Sequence, residues 1–303
     1  MPVRSRTPEP ATVAAFRRPT GGLRAWLRAA RVRQWTKNLL VFGAPAAAGA
    51  LGHADVLARV SIAFAAFCVL ASGIYLLNDV HDAAEDRHHP VKRHRPIASG
   101  ALSPRRAAAV GLCLVLAGIG LSAIDGLLLL AVGVAYAALN LTYTTWLRRV
   151  AVADIAVIAA AFVLRGVAGG VAAHVHISRL FLVVVSFGAL FVVAGKRYGD
   201  YLDPGSRRSR QVLRHYSARS LRLVIVLAAV LAAVAYLLWA LFAAHSALSP
   251  WRELTIVPFA AVIARYAVVV LRGGGAAPEQ VLFSDRLTQL AGAGWLLLFL
   301  AGV

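Results

Sequence analysis

Apolar residues in this chain run in long unbroken blocks, without the alternation of a half-buried strand or the single stripe of a soluble amphipathic helix. The stretches 38–54, 60–77, 107–124, 126–147, 180–195, 223–251 and 287–303 carry no Asp, Glu, Lys or Arg. Two more, 150–173 and 253–271, are apolar except for Asp154, Arg165, Glu253 and Arg265. A helix crosses the hydrocarbon of a bilayer in about 20 residues, with a range of roughly 17–25. The pattern therefore predicts an all-α fold, a polytopic membrane helix bundle of nine spans, of which the first, sixth and ninth are short. Ahead of the first block, Gly22–Arg33 sets Leu23, Trp26, Leu27 and Ala30 on one face and Arg24, Arg28 and Arg31 elsewhere, the mark of an interfacial amphipathic helix. Residues 1–21, rich in Pro, Arg and Thr, read as a disordered cytoplasmic tail, and 22–303 as a single transmembrane catalytic domain. No apolar h-region follows the charged start before residue 38, so a cleavable signal is not expected.

Composition supports the same class. The chain is 60% hydrophobic and 15% charged, where soluble chains run at about 45–50% and 25%. That excludes disordered, collagenous and disulfide-framed proteins. The two cysteines, Cys68 and Cys113, both lie within apolar blocks and read as small buried side chains.

A net charge of +19 would point to nucleic acid in a soluble protein. Here position outweighs the sum. Alternating the nine spans puts 27 of the 32 Lys and Arg on one side and only Arg59, Arg179 and Arg252 on the other. By the positive-inside rule the N-terminus is cytoplasmic and the C-terminus outside, in a multi-pass protein of the cell inner (plasma) membrane. No nucleic-acid partner is expected, and the pattern is compatible with a homo-oligomer.

The same side holds the candidate chemistry. Of 13 acidic residues, four fall in the nine residues from Asn78 to Asp86. If the second span continues as helix, Asp79, Asp82 and Asp86 share one face. Stacked carboxylates destabilise a helix unless a cation holds them, and such hard oxygen ligands suit Mg²⁺ bound together with substrate phosphates. Asn78 would fix their geometry, and Asp154, a turn into the fifth span, is a further candidate metal ligand. Lys92, Arg93, His94 and Arg95 follow within ten residues. Metal on one side and cations on the other is what a metal-bridged polyphosphate requires.

The chain has only three lysines against 29 arginines, and all three, Lys37, Lys92 and Lys196, lie on this face. Lys37 and Asn38 enter the first span, Lys196, Arg197 and Tyr198 leave the sixth, and Asn140 and Tyr143 end the fourth; all are candidate substrate-binding residues. Arg165 sits deeper and reads as a tie between helices. His174, His176 and His245 fall on the opposite side without acidic neighbours. An active site facing the cytoplasm follows, although a lipid transporter would also use intramembrane Asp154 and Arg165.

The Asn78-Asp-x-x-Asp82-x-x-x-Asp86 stretch resembles the first aspartate-rich motif of the UbiA-type superfamily of intramembrane prenyltransferases, over essentially the whole span region. Within that superfamily Arg33–Asn38, Lys92–Ile97, Phe162–Arg165 and Gly195–Tyr198 resemble its phosphoribose-transferring members. The resemblance implies Mg²⁺-dependent transfer of 5-phosphoribose from phosphoribosyl pyrophosphate to decaprenyl or another polyprenyl phosphate, releasing pyrophosphate, for cell-wall arabinan precursors. Members that bind a prenyl diphosphate carry a second Asp-x-x-x-Asp motif; here Asp154 is followed four residues later by Ile158. That departure speaks against the alternative of an aromatic prenyltransferase making a quinone or haem precursor. A second departure is Arg148–Arg149, where a lysine would be expected.

Overall fold

Helix after helix follows from the apolar blocks. A computed structural model of the chain describes residues 21–209, 211–242 and 250–301, so the predicted tail lies, apart from Gly21, outside the described residues. Short α1 (Leu23–Ala29) is followed by α2 (Ala54–His81), α3 (Ala83–His88), α4 (Pro104–Ala123) and α5 (Leu127–Thr145). Then come α6 (Ala153–Ala172), α7 (Arg179–Leu202), α8 (Ala218–Phe242), α9 (Ile256–Leu271), α10 (Pro278–Ser284) and α11 (Arg286–Ala301). No strand occurs among the described residues. Local chemistry sets the boundaries. Pro104 occupies the first turn of α4, where its missing N–H is no loss. Ser178 Oγ caps α7 by accepting the Phe181 N–H at 3.1 Å.

Among the described residues seven helices are long and apolar enough to cross a membrane, the seventh counted from Trp251. The predicted first and ninth spans differ. The ninth is the 16-residue α11. The first is an 11-residue 3₁₀ run, Val32–Phe42, followed by a five-residue α-turn, Gly43–Ala47. The sixth, expected to be short, is the 24-residue α7. Helix persists there beyond the apolar block because the polar side chains at its end find partners inside the bundle. The predicted amphipathic helix stops at Ala29, and Arg31 adopts a left-handed backbone with φ 53°.

Helix α2 packs along α4, α7 along α8, and α5, α6 and α7 follow in sequence; the 3₁₀ segment lies against α2 and α6. Small residues permit the close approaches, as in other membrane bundles. An added Cβ at Gly73 would meet the Gly111 carbonyl oxygen at 2.7 Å, and one at Gly169 would meet the Val41 carbonyl oxygen at 1.6 Å. Two apolar cores result. One joins Val41, Phe67, Leu70, Tyr136 and Ala168; the other joins Phe191, Tyr198, Ile225, Tyr266 and Val270. A third, smaller cluster of Ala29, Leu76, Ala83, Ile97 and Leu102 seats the basic loop against the end of α2. At the opposite end of the bundle Tyr236, Trp239, Phe259, Trp295 and Phe299 stack together. Leucines on the outer faces of α4, α5 and α8, among them Leu112, Leu116, Leu128, Leu223 and Leu227, are exposed, as expected of surface that faces lipid.

Two readings of single residues are corrected. Cys68 is buried, but Cys113 is exposed, because α4 is peripheral and turns that side outward. His174 does have an acidic neighbour: its Nε2 lies 3.7 Å from Asp125 Oδ2, brought there by the packing of helix ends distant in sequence. His245 lies outside the described residues.

Candidate active site

The acidic motif straddles the end of α2. Asn78 and Asp79 occupy its last turn, Asp82 interrupts the helix, and α3 then carries Glu85 and Asp86. Asp79 and Asp86 are almost completely buried, and buried carboxylates require compensation. The basic loop folds back to supply it. Arg95 Nη1 donates to Asp86 Oδ2 at 2.6 Å and to Asp79 Oδ1 at 3.2 Å, and Lys92 Nζ lies 3.8 Å from Asp86 Oδ1. Two arginines that sequence reasoning left out of the site complete the set. Arg31 Nη2 donates to Asp79 Oδ1 at 2.6 Å, and Arg148 Nη1 donates to Asp82 Oδ1 at 2.5 Å. Asn78 Oδ1 accepts a hydrogen bond from Thr144 on α5, which ties the motif to the neighbouring helix.

A second polar group gathers across the cavity. Asp154, in the first turn of α6, is fully buried. Arg197 Nε donates to its Oδ2 at 2.5 Å, and the Tyr216 hydroxyl donates to its Oδ1. Arg197 also donates to Asp200 Oδ2 and Tyr143 Oη, each at 3.1 Å. The Val152 N–H donates to the same Tyr216 oxygen at 2.7 Å. That bond steadies Val152 at φ 68°, a left-handed conformation unfavourable for a β-branched residue. Burial, and then the hydrogen bond to Asp154, push the Tyr216 phenol above its ordinary value.

Between the two groups lies a cavity of about 700 Å³. Of the sequence-predicted residues it is lined by Lys37, Asn78, Asp79, Asp82, Lys92, Arg95, Asn140, Tyr143 and Lys196. The others stand back. Asp86 supports Arg95. Arg93 is exposed and donates to His94. Asn38 accepts from Arg165 Nε at 2.7 Å, and Tyr198 accepts from Arg222 Nε at 2.7 Å. Arg197 and Asp154 are held beneath the surface. Asp86 and Asp154, expected among the metal ligands, do not line the cavity: both are buried, Asp86 against Arg95 and Lys92 and Asp154 against Arg197 and Tyr216. The lining adds residues not expected there: Arg31, Gln34, Tyr75, Glu85, Tyr136, Thr144, Arg148, Arg149 and Arg165. Signals for some of them were present in the sequence: Gln34, Glu85 and Arg165 lie within motifs already singled out, and Arg148–Arg149 stand where a lysine would be expected.

Hard oxygens of Asp79, Asp82, Glu85 and Asn78 border the cavity, which is the right chemistry for Mg²⁺. Among the described residues no three acidic, histidine or cysteine side chains converge to cage an ion by themselves. A site that offers one or two carboxylates and leaves the remaining positions to substrate phosphates fits Mg²⁺, which ordinarily binds in that way.

Among the described residues, seven helices able to cross a membrane and a cavity rich in cations define an integral, multi-pass membrane protein with an enzyme-like site. The chain belongs to the UbiA prenyltransferase family, whose model matches residues 39–289. It is 41% identical over 277 residues to the decaprenyl-phosphate phosphoribosyltransferase of Corynebacterium glutamicum, covering 89% of this chain and 83% of that protein. It is 38% identical over 281 residues to the Mycobacterium tuberculosis protein of the same name, covering 89% and 91%. Among solved structures it is similar to a UbiA homolog from Archaeoglobus fulgidus bound to DMAPP and Mg²⁺. The TM-score is 0.72 at 15% identity, covering 91% of this chain and 99% of that one. A digeranylgeranylglyceryl phosphate synthase has a TM-score of 0.66 at 17% identity, covering 92% and 98%. At these identities the structures establish the fold.

Proposed function

We propose that this protein transfers 5-phosphoribose from phosphoribosyl pyrophosphate to decaprenyl or another polyprenyl phosphate, releasing pyrophosphate, as a step toward cell-wall arabinan precursors. The observation that carries the reading is the cavity's charge. Arg31, Lys37, Lys92, Arg95, Arg148, Arg149, Arg165 and Lys196 line it against only three acidic residues, Asp79, Asp82 and Glu85. A reaction that brings together a donor diphosphate, a donor 5-phosphate and a lipid phosphate calls for that excess. The similarity to curated phosphoribosyltransferases supports the same assignment.

Asp79 and Asp82 would hold Mg²⁺, with Asn78 positioned for them by Thr144. Asp86 and Asp154 act as positioning residues, the first for Arg95 and the second for Arg197. Bound at Asp79 and Asp82, the ion supplies charge neutralisation on the donor diphosphate. Arg95 and Arg148 stand beside these carboxylates and Lys92 beside Asp86, and they stabilise negative charge on the departing pyrophosphate as the ribose C1 becomes cationic. The lipid phosphate is already an anion, so its oxygen attacks C1 without a strong general base. We further propose that 22–303 form a single catalytic domain of the plasma membrane, with the N-terminus and the cavity facing the cytoplasm and the C-terminus outside. The lopsided distribution of Lys and Arg supports this orientation.

The test uses membranes containing the full chain, labelled phosphoribosyl pyrophosphate and a polyprenyl phosphate. Label should enter the organic-extractable lipid with its 5-phosphate intact, and chelation of divalent cations should abolish the transfer. No transfer from this donor, with activity from a prenyl diphosphate to an aromatic acceptor instead, would overturn the reading. Transfer that survives complete chelation would remove the metal from it.

A further inference from the structure

Arg165 combines two features that no other arginine described at the site shares, burial and the lack of a carboxylate partner. It is 4% exposed, halfway along α6. Eleven residues separate it from Asp154, a rise of about 16 Å along the helix. All of its hydrogen-bond partners are neutral: Nε donates to Asn38 Oδ1 at 2.7 Å, Nη1 to the Ala161 carbonyl at 2.7 Å and Nη2 to Tyr136 Oη at 2.6 Å. The rings of Tyr136 and Phe162 flank the guanidinium at 4.8 and 5.2 Å. Among the described residues no carboxylate pairs with it, whereas Arg31, Arg95, Arg148 and Arg197 each have one. A guanidinium carries five N–H groups, and these three bonds leave one on each terminal nitrogen.

A lone cation at this depth is costly, and an apolar side chain of similar volume would join the same helices more cheaply. A purely structural tie therefore explains the position poorly. Direction adds a second argument. Helical side chains lean toward the N-terminus of their helix, and the bond to the carbonyl of Ala161, one turn earlier, confirms that lean here. The guanidinium is thereby aimed along the cavity wall formed by Val157, Ile158, Ala161 and Phe162, toward the acidic motif, and it lines the cavity.

We infer that the deep end of the cavity is a phosphate-monoester subsite whose charge partner is Arg165, held in place by Asn38 and Tyr136. Two substrates of the proposed reaction carry that chemistry, the donor through its 5-phosphate and the lipid through its headgroup. Only this choice of sources rests on the proposed function; the subsite itself rests on the uncompensated cation.

The experiment measures binding to the detergent-purified full chain. The probes are ribose 5-phosphate against ribose, and a short-chain polyprenyl phosphate against its alcohol. Arg165→Gln should weaken one phosphorylated probe by about 10- to 100-fold, the usual scale for losing a charged hydrogen bond, while the unphosphorylated partner is unchanged. Selective loss of ribose 5-phosphate assigns the subsite to the donor, and selective loss of the lipid phosphate assigns it to the acceptor. If Arg165→Gln is unstable, Arg165→Met, an apolar side chain of similar volume, keeps the packing between the helices. That variant should fold and should lose the same phosphate binding, whereas a structural arginine would leave the preference for phosphorylated probes intact. Unchanged affinity for both phosphorylated probes in either folded variant would overturn the inference, as would equal weakening of phosphorylated and unphosphorylated probes. A parent protein that binds these probes through Arg165 but transfers no phosphoribose would refute the proposed reaction and leave the subsite standing.

Discussion

The carboxylates on the two sides of the cavity are held in opposite ways. On the α2 side Asp79 and Asp82 meet arginines that stay partly open to solvent, with Arg31, Arg95 and Arg148 at 22–28% side-chain exposure. Across the cavity Asp154 and Arg197 are at 0% and 2%, and Tyr216, Tyr143 and Asp200 close the network. An ion pair that water reaches is worth little and exchanges partners readily. A pair sealed from water is costly to break, because either partner alone is stranded. The first arrangement allows arginines to move from carboxylate to phosphate when a metal-bound donor arrives. The second serves as a fixed wall against which that exchange takes place.

Breaking the wall should give the largest effect. Asp154→Asn leaves buried Arg197 with Asp200 as its remaining carboxylate partner and should cost about 1–3 kcal/mol of stability, read as a lower unfolding midpoint of the purified protein. A loss below about 1 kcal/mol with activity retained would erase the distinction between the two sides. On the exchanging side, Asp82→Asn should leave the unfolding midpoint near that of the parent. Phosphoribose transfer by this variant should fall by about 10²-fold or more, the scale expected when a group that organises transition-state charge is lost. The smallest effect is expected outside both groups. Arg265 Nη2 donates to Asp285 Oδ1 at 2.7 Å, and Thr288 Oγ1 donates to Oδ2 at 2.6 Å. These bonds hold the Asp285 carboxyl well below the usual carboxylate range. The sign follows from linkage. The pair stabilises the fold above the ordinary carboxylate pKa, and that contribution is lost as pH falls through the lower folded-state value. Unfolding midpoints measured against pH should show a shallow acid-side decline that Arg265→Gln flattens.

Much of this arrangement is readable from the chain, and the gaps have physical causes. Uninterrupted apolar runs define the long helices because a bilayer permits few other solutions. The clustering of Asp79, Asp82 and Asp86 with Lys92 and Arg95 is local in sequence, so spacing alone exposes it. Arg31 and Arg148 escaped notice because they reach the motif from 48 and 66 residues away. In a chain where most cations mark one side of the membrane, a site arginine looks like any other topology signal. The partner of Asp154 is hidden for a related reason: Arg197 is 43 residues off, and only packing brings the two together. The 3₁₀ course of Val32–Phe42 was likewise hidden, since it joins a polar patch to the start of an apolar block, and composition does not separate 3₁₀ from α geometry.

The contact between Gly169 and Val41 reaches further than helix packing. Asn38 stands three residues before Val41 and Arg165 four before Gly169, so both partners of the buried Arg165–Asn38 hydrogen bond hang from this one backbone junction. The junction works as a mechanical gauge: with no side chain between them, the 3₁₀ segment and α6 have a single separation available. One added methyl group would push them apart, and the displacement would be felt a turn away as a lengthened Arg165–Asn38 bond. Positional accuracy at the bottom of the cavity is thus set by a residue that touches neither the cavity nor any ligand within it.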